Sequence, residues 1–106
     1  MQKLTLLKEK PTALFARNDT TAIGALFVAR DTGLQVPRDI SIVGFDNVPA
    51  SACVFPALTT VDQFVVEQGK VAVRLLIDRV ESETPRPGQE ISFPCRLVVR
   101  ESTAPR

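Results

Sequence analysis

The chain has 106 residues, 44% hydrophobic and 24% charged, with 13 Lys and Arg against 12 Asp and Glu. That is the length and composition of one small folding domain, and it excludes a disordered or low-complexity segment. The net charge of +1 comes without a basic block, so this segment carries no electrostatic footprint for nucleic acid, and no apolar run nears the length of a membrane span.

In chain order, Leu4–Lys10 reads as the last turns of a helix stopped by Pro11. Ala13–Ala16 is a short buried strand ending in Arg17-Asn18-Asp19. Asn18 or Asp19 supplies the oxygen that caps the next helix, and the cap is assigned to Asp19. The helix runs over Thr20–Thr32, with Gly33 as its left-handed terminator. Ala22, Ala25, Leu26 and Ala29 face the sheet. Ile23 and Phe27 form a second apolar row, wide enough to suit a subunit contact. A second strand, Ile40 through Phe45, ends abruptly in Asp46-Asn47. Strand, helix and strand make a right-handed βαβ unit with parallel strands. Two strands that each finish in Asn and Asp wall one polar crevice at the carboxyl edge of the sheet, where open α/β sheets bind ligands.

Val48–Thr60 reads as a structured loop with a helical turn at Ala50–Cys53, followed by a third strand over Leu58–Val61. Phe64–Val80 is the clearest helix, with Val65, Gly69, Ala72, Val73, Leu76, Ile77 and Val80 on one stripe. Thr84–Gly88 is an exposed turn. Glu90–Val99 reads as strand, bent at Pro94, and a polar tail follows. Phe15 and Phe45 are expected in the core. Cys53 and Cys95 follow no metal-ligand spacing, and with no export signal read at the start they are expected as reduced thiols. The chain has no histidine, so the commonest general base and metal ligand is missing. Burying both helix stripes within this length is tight. The expectation is therefore a part of a larger protein, or a chain completed by another subunit.

Five stretches, in this order and spacing, carry a resemblance: Pro11–Asp19, Ala22–Leu26, Val36–Asn47, Pro56–Gln63 and Leu97–Thr103. Together they resemble the carboxyl end of the lactose-repressor/galactose-repressor (LacI/GalR) family of transcription regulators, over nearly the whole chain from Pro11 to Pro105. The resemblance implies an α/β fold of parallel-sheet βαβ units, a fragment of the two-lobed periplasmic-binding-protein type I fold. It implies that residues 1–62 belong mainly to the carboxyl-terminal lobe and residues 63–94 to the amino-terminal lobe, with 95–106 returning. The family's helix-turn-helix DNA-binding headpiece is not in this segment, so DNA is a partner only through that absent part.

On this resemblance Asp46 is an effector contact, since a carboxylate accepts two hydroxyl hydrogen bonds and suits a sugar or nucleoside. The alternative is a carboxylate that caps a loop. Asn18 is a second effector contact or a helix cap, and Gln63, at the lobe crossover, touches ligand or hinge or is a plain loop amide. Arg17 stands where the family often has a small residue. It neutralises an anionic effector or pairs with Asp46 or Asp19. Ile23, Phe27, Val54 and Phe55 resemble the family's dimer interface, with core burial as the alternative. Arg100-Glu101-Ser102 reads as a structural strand end.

The expected function is effector sensing and dimerisation in a cytoplasmic regulator, with no cofactor, metal, catalytic residue or membrane partner. The alternatives are a solute-binding protein of the same fold feeding a transporter and a stand-alone dimerisation module. An enzyme built on Asp46 and Asp19 lacks a nucleophile motif.

Overall fold

The computed structural model describes residues 8, 10–85 and 87–105. Most of the helix expected over residues 4–10 lies outside them. Strand β1 (Ala13–Phe15), helix α1 (Asp19–Asp31) and strand β2 (Ser41–Val43) form the βαβ unit, its two strands parallel with Leu14 opposite Ile42. Thr59 makes a further parallel bridge to Val43. A short helix α2 (Ala50–Cys53) follows, at the helical turn expected there. Strand β3 (Thr60–Asp62) then pairs antiparallel with β4 (Arg96–Val98), and helix α3 (Val65–Val80) lies between them in sequence.

The core lies between α1 and the parallel strands. Ala22, Ala25 and Leu26 are buried in one cluster with Ile40, Ile42 and Leu58, and Ala29 on the same helix is also buried. The alanines let the helix sit close to the β-branched strand residues. The helix begins one residue before the expected start because the cap is Asn18, whose Oδ1 accepts from the Thr21 amide at 2.9 Å. Asp19, expected as the cap, is instead fully buried. Gly33 takes the left-handed φ of +76° just past the helix end, as its position predicts.

Buried hydroxyls splice the tail to this core. Ser102 is fully buried, with Oγ donating to the Ile42 carbonyl at 2.5 Å and accepting from the Thr59 amide at 2.8 Å. Its backbone carbonyl accepts from the Ile42 amide at 2.8 Å. Ser102 is thus a structural residue, although the strand itself ends at Val98, before the Arg100–Ser102 stretch read as its end.

Three expectations need correction. Phe15 is 64% exposed rather than core, since among the described residues β1 pairs with β2 alone, and Phe45 is partly exposed. The strand expected over Glu90–Val99 is confined to Arg96–Val98, since only those residues find a partner, in β3. The third strand starts later than expected, at Thr60.

Helix α3 has no buried residue, and Val73, Leu76 and Ile77 are 57%, 63% and 49% exposed. The radius of gyration is 18.9 Å and the extents are 62 × 26 × 23 Å. A compact chain of this length has a radius of about 13 Å. The shape and the bare stripe agree with the packing problem posed by the sequence. Both cysteines are unpaired and exposed, and no helix among the described residues is long and apolar enough to cross a membrane.

Candidate functional site

The site begins where β2 ends. Gly44 is buried between Asp19 and Leu58, and a Cβ there would lie 3.2 Å from Asp19 Cα and 3.0 Å from Leu58 Cδ2. This close passage lets the turn after β2 run directly over the start of α1. The turn is then held from both sides. The Gly44 and Asp46 amides donate to the Thr59 and Val61 carbonyls, each at 2.9 Å. On the other side, the Asp19 amide donates to the Phe45 carbonyl at 2.8 Å. Asp19 Oδ2 accepts from the Val48 amide at 2.9 Å, and Oδ1 accepts from the Thr60 hydroxyl at 2.5 Å.

Within this frame Asp46 and Asn47 both adopt positive φ, 110° and 55°. Asn tolerates the left-handed region, whereas an Asp at 110° is strained backbone maintained by its surroundings. Across the groove, Gln63 directly follows β3, and its Nε2 donates to Asp46 Oδ1 at 2.6 Å. An open groove of about 790 Å³ lies over this pair, lined also by Pro49, Asp62, Phe64 and Glu67.

The crossover from β3 to α3 is clasped. Asp62 Oδ1 accepts from the Phe64 amide at 2.9 Å, which suits the left-handed Phe64 (φ 57°). Asp62 Oδ2 accepts from Asn47 Nδ2 at 3.2 Å and from Arg96 Nη2 at 3.4 Å, and the Arg96 guanidinium lies 5.3 Å from the Phe64 ring centre. The Phe64 amide foremost, with help from Asn47 and Arg96 and against the opposing effect of burial, holds the Asp62 carboxyl below its ordinary value of 3.8. A depressed carboxylate stabilises the fold in full above that ordinary value and loses the contribution as pH falls through its own lowered one. The Phe64 amide resonance should therefore titrate with an acid midpoint below 3.8. A midpoint at or above that value would remove the clasp.

The structure thus brings Asp46 and Gln63 together. Asn18 does not line this groove, and its Oδ1 caps α1 by accepting from the Thr21 amide. Arg17 is exposed and forms neither of the pairs considered for it, because Asp46 is bonded to Gln63 and Asp19 to Val48 and Thr60. Arg17 lies instead beside Phe15, Thr21 and Val28 on the outer edge of the sheet. Among the described residues no group of His, Cys, Asp and Glu is placed to hold a metal.

Ile23, Phe27, Val54 and Phe55 gather around a separate groove of about 280 Å³. Phe55 is 92% exposed and Phe27 48%, with the Arg30 guanidinium 5.3 Å from the Phe27 ring centre. Burial in this chain's own core, their second possibility, holds in part for Ile23 and Val54, which are half-buried and pack against the core, and fails for the exposed Phe27 and Phe55.

Sequence reasoning missed Asp62, and it missed the part that Asn47 and Arg100 play around the turn. A lone carboxylate after a β-branched pair gives no sign of the amide that it will hold two residues later.

Comparison with known proteins places these features in a family. Residues 1–103 match the family described as periplasmic binding protein-like domain. The chain is 41% identical over 103 residues to the HTH-type transcriptional repressor CytR of Escherichia coli (strain K12), covering 97% of this chain and 30% of that protein. It is 40% identical over 104 residues to the HTH-type transcriptional repressor PurR of Escherichia fergusonii, covering 98% of this chain and 30% of the relative. The chain thus spans about 30% of the length of the curated relatives it matches. Among solved structures, a LacI family transcriptional regulator from Enterococcus faecium with bound ribose superposes with a TM-score of 0.88 at 35% identity, covering 96% of this chain and 38% of that one.

Proposed function

The chain belongs to the periplasmic binding protein-like domain family and corresponds to part of the effector-binding domain of LacI-type transcriptional regulators, and from that premise we propose that it binds a small polyhydroxylated effector, of the sugar or nucleoside class, in the groove over Asp46 and Gln63. The observation that carries the proposal is the Asp46–Gln63 hydrogen bond. It joins a carboxylate and an amide from two different strand ends in one groove. The carboxylate keeps an oxygen to accept a hydroxyl, and the amide fixes its orientation. The ribose held by the Enterococcus faecium regulator supports the sugar class.

The lobe boundaries follow from the same reading. Residues 1–62 belong mainly to the carboxyl-terminal lobe, residues 63–94 to the amino-terminal lobe, and 95–106 return. The bare stripe of α3 supports this division. The effector shifts the population of two lobe arrangements because it binds one of them better, and operator affinity follows through the DNA-binding headpiece of the whole cytoplasmic protein. That the curated relatives are repressors favours this role over delivery of a solute to a transporter. The exposed Phe27 and Phe55, with Ile23 and Val54, form the dimer contact.

Calorimetric titration of the native protein with D-ribose, D-glucose, cellobiose, adenosine and uridine should give saturable heat for at least one compound. Silence across the panel would overturn the sugar or nucleoside class. Light scattering should find a dimer or higher species that Phe55→Glu dissociates, and a monodisperse wild-type monomer would contradict the assigned contact.

A further inference from the structure

Arg100 lies just beyond β4, and its half-buried guanidinium reaches three neutral oxygens. Nη2 donates to Asn47 Oδ1 at 2.7 Å. Nη1 donates to the Leu58 carbonyl at 2.7 Å and to Ser51 Oγ at 3.0 Å. Its own amide donates to Thr59 Oγ1 at 2.9 Å. Among the described residues no carboxylate lies within ion-pair distance of it. A cation placed for its charge would face an acid. This one is placed for its fork, which presents donors to two sides at fixed angles.

Those two sides are different parts of the molecule. Asn47 is the left-handed residue next to Asp46, and its amide is gripped at both ends, with Oδ1 accepting from Arg100 and Nδ2 donating to Asp62. Ser51 is fully buried in α2, the short helix that leads directly into Val54 and Phe55. Its hydroxyl also donates to the Val48 carbonyl at 2.6 Å, so it closes the loop from the turn back to the helix.

We infer that Arg100 is a positioning residue for the ligand turn: through Asn47 it holds Asp46 where Gln63 meets it, and through Ser51 it ties that turn to the helix bearing the exposed aromatic groove. The placement of the turn stands on these hydrogen bonds alone. Its meaning for binding rests on the reading of Asp46 as an effector contact.

Amide hydrogen exchange in the native protein separates positioning from general stability. Arg100→Lys retains the charge and loses the fork. Exchange at Asn47 and Val48 and within Ala50–Cys53 should accelerate by about tenfold or more, while Ala25 and Leu26 in α1 stay protected, since local openings are independent of global unfolding. Acceleration spread evenly over α1 and the turn, or no acceleration, would overturn the inference. Arg100→Gln is the harsher variant. If it does not fold, the lysine variant decides. D-ribose titrated into the same samples tests the functional half. If wild type binds it, Arg100→Lys should weaken it by about tenfold, a change of 1.4 kcal/mol. Unaltered ribose affinity beside a loosened turn would overturn that half. If wild type ignores ribose, the compound of the panel that does bind takes its place, with the same tenfold loss expected; silence across the panel overturns the functional half, and the exchange pattern still decides the role of Arg100.

Discussion

Replacing Asp19 with alanine should lower the unfolding free energy by about 3 kcal/mol, the scale of two hydrogen bonds to a buried carboxylate. Asp19 has no exposed surface, and each of its oxygens has one strong partner, the Val48 amide and the Thr60 hydroxyl. Alanine removes both acceptors, leaving the fully buried Thr60 hydroxyl and the part-buried Val48 amide without them. The loss is therefore that of orphaned groups rather than of exchanged ones. Gly44 presses against the same side chain, so neighbours are not free to close over the gap. Asp19→Asn retains one acceptor and should lose about half as much. Urea denaturation of the native protein followed at the α1 core reads both values. A loss below about 1 kcal/mol for alanine would mean that the turn finds other partners, and that Asp19 is not its keystone.

Asp46→Ala should weaken effector binding by roughly 1–3 kcal/mol, or about 5- to 150-fold. The residue's backbone is anchored by its amide to Val61, its φ of 110° is held against its own preference, and its Oδ1 is already engaged by Gln63. Each of these removes freedom before a ligand arrives, so a hydroxyl bonding to the carboxylate meets a fixed acceptor. Removing the carboxylate also leaves the Gln63 amide without its partner. Asp46→Asn, similar in shape but neutral, should fall between wild type and alanine. Titration calorimetry with whichever sugar or nucleoside binds the wild type measures the difference, and unchanged affinity in Asp46→Ala would remove this residue from the site.

The parts of the molecule governed by short-range rules were legible in the sequence. The buried alanines of α1 follow from helical spacing, the parallel pairing of β1 and β2 from the intervening helix, and the turn of Gly33 from its place after a periodic run. Asp46 was legible from position alone, at the end of an apolar strand. Asp19 and Asn18 exchanged roles because both are good caps by propensity. Only the passage of Gly44 decides which side chain is drawn inward. Phe15 was misplaced because apolar character says nothing about whether a strand has one neighbour or two. The Asn47–Asp62–Arg100 network was illegible for a different reason: its members are separated by 15 and 53 positions and meet only once three chain segments are in register.

The bare flank of α3 also bears on how the molecule is made. A 16-residue helix with no buried residue is near the length at which helices in water are marginal, so its order depends on tertiary docking. Among the described residues, a long run of exposed aliphatic side chains thus sits on an element poorly able to form alone. The βαβ unit has its own core to close around, while Val73, Leu76 and Ile77 are exposed and need a surface to dock on. Until that surface arrives they are a target for chaperones and for self-association. Slow docking would be felt as poor yield of protein well before it was felt as weak binding.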